Sequence, residues 1–334
     1  MSTRKIAIEE HLSLRDPDFM GVTAAQFDGT EVGFPEQAWR SLTRKLLDLD
    51  DERIAHMDAS GIELSVLSVA SPGAQGIPDR RQAVHWAARA NDVVAARVAA
   101  NPSRFAAFAV LPMQDPAAAA RELRRAVTEL GMCGAMVHSF SQVDTVDNAV
   151  YYDGREYWGF WATVEQLGVP IYLHPRKMLD RHSRMIQGHP WLATAAWSFA
   201  VDTTTHALRL MGSGLFDRFP GVQVVLGHLG EMVPFTLWRT DHWMSIERNG
   251  CPAQRPFAEY FANNFHVTIS AVLSTPRLED VIEVIGTQRV LYATDYPYES
   301  MEETASWWDA LELDPVDRTA MERGNAIALL GLNS

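Results

Sequence analysis

Five side chains that can bind a divalent cation or move a proton stand at or near the ends of four short apolar runs spread along the chain. Glu9 and His11 close Lys5-Ile-Ala-Ile-Glu-Glu-His11, and His174 closes Val169-Pro-Ile-Tyr-Leu-His174. His228 closes Val222-Gln-Val-Val-Leu-Gly-His228, and Asp295 closes Val290-Leu-Tyr-Ala-Thr-Asp295. Short runs of β-branched and aliphatic residues read as buried strands. Polar ligand types at the C-terminal ends of several strands point to a (β/α)8 barrel, whose chemistry sits on that rim. The chemistry implied is that of one cation held by carboxylate oxygens and imidazole nitrogens, a donor set suited to Zn2+ or Mn2+.

Strict strand alternation in the first run places Ala7, Glu9 and His11 on one face and Ile6, Ile8 and Glu10 on the other. The expectation is that the isoleucines pack outward against helices while Glu9 and His11 face the barrel mouth. Each candidate also has a plain alternative. A charged strand end can be solvated, a lone strand histidine can be a hydrogen-bonded core residue, and Asp295 can satisfy a turn. Glu231, three residues after His228, can pair with it or cap a helix. All five coming at or near the ends of four strands of one barrel is the stronger reading.

Eight strands are needed, and eight are found. They lie at 5–11, 62–69, 105–110, 134–137, 169–174, 222–227, 265–270 and 290–294, separated mostly by helical patterns at 50–59, 79–100, 115–130 and 157–167. Parallel strands require such crossovers. Residues 12–40, rich in Pro, Gly and Asp, read as a long rim loop, and 175–221, with a helical pattern from 191 to 211, as a rim insertion between strands five and six. The expectation is a single barrel domain over residues 1–334. Hydrophobic residues make up 47% and charged residues 21% of the chain, as in an ordinary globular protein with a large core. The net charge of −13 argues against a nucleic-acid or anionic-membrane surface. Two cysteines imply no disulfide framework, and no signal peptide or membrane span is read, so a cytoplasmic protein is expected.

These residues also carry a resemblance. Glu-Glu-His-Leu at 9–12, Ala-Asn-Asp at 90–92, Arg-Phe-Ala-Ala-Phe at 104–108 and Tyr-Leu-His-Pro-Arg at 172–176 are part of it. Gly-His-Pro-Trp at 188–191, His-Ala-Leu-Arg-Leu-Met at 206–211, Gly-His-Leu-Gly-Glu at 227–231 and Thr-Asp-Tyr-Pro at 294–297 continue it. The chain resembles the metal-dependent non-oxidative decarboxylases of the amidohydrolase superfamily, the group that includes aminocarboxymuconate-semialdehyde decarboxylase. Within them it is most similar to the enzymes acting on γ-resorcylate (2,6-dihydroxybenzoate), 2,3-dihydroxybenzoate and salicylate. Glu9, where the wider superfamily usually has the first His of His-x-His, resembles that branch.

The resemblance implies that Glu9, His11, His174 and Asp295 hold one Mn2+ or Zn2+ per chain. It makes Asp295 the proton shuttle, with His228 beside it and Glu231 orienting His228. It further implies reversible decarboxylation of an ortho-hydroxybenzoate and a homodimer or homotetramer. Arg239, Tyr298 and Phe199 are candidate contacts for the aromatic carboxylate. Ser270-Ala-Val-Leu273, Tyr296, Tyr298 and the loop carrying Phe19, Met20, Phe27 and Phe34 depart from the branch's pattern, which leaves the ring substitution open. A lactone or amide hydrolase on the same metal, and a non-catalytic barrel, are the rival readings.

Overall fold

The computed structural model describes residues 4–14 and 36–332. Its parallel strands form two hydrogen-bonded runs. One is β1 (Lys5–Leu12), β2 (Ile62–Val69) and β3 (Phe105–Ala107). The other contains β4 (Ala109–Val110), β5 (Ala135–His138), β8 (Ile171–His174), β9 (Val224–Leu226), β10 (Phe265–Thr268) and β11 (Val290–Leu291). β3 and β4 are two halves of one stave: the Phe108 N–H bonds Leu67 O and the Ala109 N–H bonds Gly134 O, both at 2.9 Å. The ring closes where the Ile8 N–H reaches Tyr292 O (3.2 Å), the Asp295 N–H reaches Glu9 O (2.9 Å) and the His11 N–H reaches Tyr296 O (2.7 Å). Eight staves result, the expected count for a (β/α)8 barrel.

Two of the crossover helices start where the sequence offers a side-chain oxygen to the free N–H groups of the first turn. Asp79 accepts from the Gln82 N–H ahead of Arg80–Ala100, and Asp115 from the Ala118 N–H ahead of Pro116–Thr128. The apolar faces of the crossover helices, with Trp86, Leu123 and Phe160, pack on the outward side of the staves through Leu67, Val137, Leu173 and Leu226. Alternate residues fill the barrel: Val66, Phe108, Met136, Tyr172, Val225 and Leu291 meet in the interior.

Ile6 and Ile8 belong to that interior cluster, and Ala7 to the outer layer. The expected orientation of the isoleucines is therefore reversed. The cause is a β-bulge: Ala7 pairs with Ser65 and Glu10 with Leu67, so three steps on β1 span two on β2. Beyond the bulge the alternation inverts, which turns Glu9 and His11 inward although Ile8 also faces in. Glu10 is left facing outward, its carboxylate taking hydrogen bonds from the Thr294 N–H (3.0 Å) and hydroxyl (2.8 Å).

Two further differences follow from local chemistry. A helix occupies Glu36–Leu47, beginning inside the stretch read as loop to residue 40, with Trp39, Leu42 and Leu46 packed near Ala70 and Tyr298. Phe19, Met20, Phe27 and Phe34 lie outside the described residues. A hairpin of β6 (Ser141–Val143) and β7 (Thr145–Val150) was not anticipated, because β7 is mostly exposed and lacks alternation. Between β8 and β9 the insertion carries the helices Ser198–Gly212 and Leu215–Arg218.

Candidate metal centre

The bulge in β1 and the ends of β8 and β11 bring Glu9, His11, His174 and Asp295 together, each offering one ligand atom, with all four atoms within 4.8 Å of one another. Glu9, His11 and His174 are buried. His11 Nε2 lies 3.0 Å from Asp295 Oδ1, and His174 Nε2 lies 3.4 Å from Glu9 Oε1. Glu9 Oε1, His11 Nε2 and Asp295 Oδ1 are buried yet have no hydrogen-bond partner. Three orphaned polar atoms aimed into one space are costly unless a cation fills it. Among the described residues no lysine or arginine is ion-paired with Glu9 or Asp295. Two carboxylates would balance one 2+ ion, so these residues fit a single divalent metal.

The histidine tautomers agree. His174 Nδ1 lies 2.7 Å from Pro175 O, a carbonyl that can only accept, so Nδ1 carries the proton and the Nε2 lone pair is free. Burial, and then the neighbouring rings of His11, His138 and His228, push the His174 pKa far down, which keeps it neutral. His138 buttresses it: His138 Nε2 donates to Val69 O (2.9 Å), leaving its Nδ1 to face His174 Nδ1 at 3.2 Å. His11 Nδ1 meets Ser68 Oγ at 3.1 Å, and buried Arg53 donates to the His11 carbonyl at 2.5 Å. Outer partners of this kind orient a metal-binding imidazole.

His228 stands beside the cluster, its Nε2 3.6 Å from both Glu9 Oε1 and Asp295 Oδ2. Its other nitrogen is 2.7 Å from Glu231 Oε1, so Glu231 orients the ring rather than capping a helix. Burial opposes the charged imidazolium, but Glu231, Glu9 and Asp295 outweigh it and raise the His228 pKa well above the ordinary histidine value. Asp295 behaves oppositely. Burial raises its pKa, but contacts with His11 and His228 prevail and hold it below the ordinary carboxylate value. Backbone strain concentrates here, with positive φ at His228 (53°), Leu229 (55°), Glu231 (57°) and Asp295 (65°). Such conformations cost on the order of 1 kcal/mol or more each and persist where surrounding structure enforces them.

Among the expected substrate contacts, half-buried Tyr298 lies edge-on to His11, ring centroids 5.5 Å apart. Arg239 is exposed on the helix Val233–Ile246, and Phe199 is half-buried at the start of the helix Ser198–Gly212. Among the described residues no hydrogen bond, ion pair or ring contact joins either to the cluster. Reading the sequence missed His138, although Ala-Met-Val-His138 ends a strand as His174 does. It also missed Tyr172, Thr268 and Ser270 as partners of Glu9, although strand alternation puts Tyr172 on the face of His174 and Thr268 on that of Ser270.

The amidohydrolase family pattern matches residues 34–332. A γ-resorcylate decarboxylase of Rhodococcus jostii is 46% identical over 98% of this chain and 99% of its own length. A second, from a Rhizobium species, is 45% identical over 98% of each. The crystal structure of a 2,6-dihydroxybenzoate decarboxylase complexed with 2,6-dihydroxybenzoate superposes with a TM-score of 0.92, at 44% identity, covering 98% of this chain and 99% of that one. A dihydroxybenzoic acid decarboxylase of a Polaromonas species, holding manganese and 2-nitroresorcinol, also gives 0.92, at 43% identity over 99% of this chain and 97% of that one. With Glu9 in the first motif and near-complete coverage by such relatives, the chain belongs to the amidohydrolase family, among the γ-resorcylate decarboxylases.

Proposed function

We propose that this protein carries out the reversible, non-oxidative decarboxylation of an ortho-hydroxybenzoate, with 2,6-dihydroxybenzoate the first candidate and 2,3-dihydroxybenzoate and salicylate close variants. The observation that carries this reading is the cluster of four donor atoms, three of them orphaned, with His228 at its edge. Glu9, His11, His174 and Asp295 would hold one Mn2+ or Zn2+. When bound, that ion supplies Lewis acidity toward the phenolic and carboxylate oxygens of the substrate.

The chain's own residues then have to move one proton. The ring carbon bearing the carboxylate must gain H+ as its bond to the departing CO2 breaks, giving the phenol. Asp295 divides its oxygens: Oδ1 belongs to the cluster, and Oδ2 faces His228 Nε2. In this reading His228 Nε2 stores the proton and Asp295 Oδ2 passes it to the ring. Glu231 keeps the store charged by accepting from His228 Nδ1. Tyr298 would wall the ring beside His11, while Arg239 and Phe199, which make no contact with the cluster, would meet substrate only from the rim.

The chain is further proposed to act as one domain over 1–334, as a cytoplasmic homodimer or homotetramer. Cys133 and Cys251 are both free thiols, as in a reducing compartment. Phe235, Trp238, Trp243 and Ile246 expose apolar surface along one helix, Trp238 at 77%, which supports a protein contact there. The hydrolase alternative is tested by comparing CO2 release from 2,6-dihydroxybenzoate with 18O incorporation from solvent water into lactone and amide substrates. CO2 release without 18O incorporation supports decarboxylation; the reverse overturns it.

A further inference from the structure

One oxygen of Glu9 is bare and the other is crowded. Glu9 Oε2 accepts from the hydroxyls of Tyr172, Thr268 (3.0 Å) and Ser270, whereas Oε1 accepts from none. A carboxylate oxygen offers about two lone pairs, so Tyr172 and Ser270 alone saturate Oε2 and leave it no pair for a cation, with Thr268 shared between Oε2 and Ser270 Oγ at 2.7 Å. The donors come from two different staves. Tyr172 lies on β8, Thr268 ends β10, and Ser270 follows it, its Oγ accepting in turn from the His228 N–H at 3.2 Å. Gly227 leaves room for the whole carboxylate and its Tyr172 partner: a Cβ built there would lie 3.0 Å from Oε1, 3.2 Å from Oε2 and 3.0 Å from the Tyr172 hydroxyl.

We propose that Tyr172, Thr268 and Ser270 are positioning residues that restrict Glu9 to one-oxygen ligation, and that this restriction reserves two positions for a two-oxygen substrate. Resting on the metal-centre reading above, the argument is one of counting. A six-coordinate Mn2+ with four protein atoms keeps about two open positions, the number an ortho-hydroxy carboxylate needs to chelate. Were Glu9 to turn Oε2 inward, it would occupy one of them. A phenol oxygen and a carboxylate oxygen would then compete for the last. The hydroxyl cradle thus decides substrate class without touching substrate.

The test uses the full chain loaded with Mn2+. Mn2+ affinity is measured from the free-ion EPR signal, and rapidly exchanging bound waters are counted from water-proton relaxation. The wild type should show about two waters, and Thr268→Val/Ser270→Ala about one, with Mn2+ affinity retained or tightened. Salicylate should bind the double variant roughly tenfold more weakly while benzoate, needing one oxygen, is little changed. Thr268→Ser, which keeps the hydroxyl, should retain two waters, and Tyr172→Phe serves as a second route if the double variant does not fold. An unchanged water count in both Thr268→Val/Ser270→Ala and Tyr172→Phe overturns the proposal. So does a weakened Mn2+ affinity at an unchanged water count, because the hydroxyls would then merely hold Glu9 in place. A wild type that takes up neither Mn2+ nor Zn2+ removes the metal-centre reading itself, a separate failure.

Discussion

Gly227→Ala is a perturbation whose cost can be worked from local geometry. Gly227 sits at φ −70°, ψ 179°, an extended conformation that alanine adopts freely, so the backbone contributes no penalty. The added methyl, however, would lie 3.0 Å from Glu9 Oε1 and 3.0 Å from the Tyr172 hydroxyl, against an ordinary contact of about 3.4 Å. Both neighbours are fully buried, so the Glu9 carboxylate has to shift by about 0.4 Å. Metal sites tolerate about 0.2 Å in ligand distance. The expected result is a loss of roughly 10- to 100-fold in metal affinity, about 1.4–2.8 kcal/mol, with about 1 kcal/mol of overpacking in the metal-free protein. Titration with Mn2+ or Zn2+ against a competing chelator reads the first quantity, and urea unfolding of the metal-free variant reads the second. Wild-type metal affinity in a correctly folded Gly227→Ala protein would refute the assignment of Glu9 Oε1 as a ligand atom.

Other substitutions separate binding, chemistry and stability. His174→Ala removes a donor whose tautomer is fixed by Pro175 and His138, and should cost most of the metal by elemental analysis together with the activity. His228→Asn should retain the metal and lower kcat about 10²-fold or more, because His228 stands beside the cluster; loss of metal would move it among the ligands. Buried His206 is neutral, its pKa pushed by burial and then by Arg209 down to about 3, and its Nε2 accepts from the Tyr152 N–H. Its folded pKa lies below its unfolded value, so its contribution is present above pH 6.5 and is lost as pH falls, by about 2 kcal/mol at pH 5. His206→Gln, measured by urea unfolding at pH 8, 6.5 and 5, should start less stable and lose about that much less on acidification; an unchanged loss would contradict the burial argument.

Much of the candidate site was legible because each proposed ligand ends an apolar run, and a barrel collects strand ends on one rim. What strict alternation could not supply was the bulge after Ala7, a backbone feature with no glycine or proline to announce it. The prediction that Glu9 and His11 face inward was therefore right while the reasoning about Ile6 and Ile8 was reversed. Ending the fourth strand at residue 137 rather than 138 hid His138, one residue beyond the apolar run. The role of Gly227 became visible only in three dimensions, since the atoms it clears belong to β1 and β8. The helix Glu36–Leu47 was obscured by the Pro, Gly and Asp residues preceding it, although Trp39, Leu42 and Leu46 repeat at helical spacing.

The central claim is that one proton replaces one CO2 on the carbon ortho to a phenolic oxygen. The most direct measurement is proton NMR of the metal-loaded enzyme turning over 2,6-dihydroxybenzoate in D2O, with 4-hydroxybenzoate run in parallel. The account predicts resorcinol carrying one deuterium at the carbon that held the carboxylate, one CO2 per resorcinol, and no reaction of 4-hydroxybenzoate. Unreacted 2,6-dihydroxybenzoate, or release of CO2 from 4-hydroxybenzoate at a comparable rate, would contradict it.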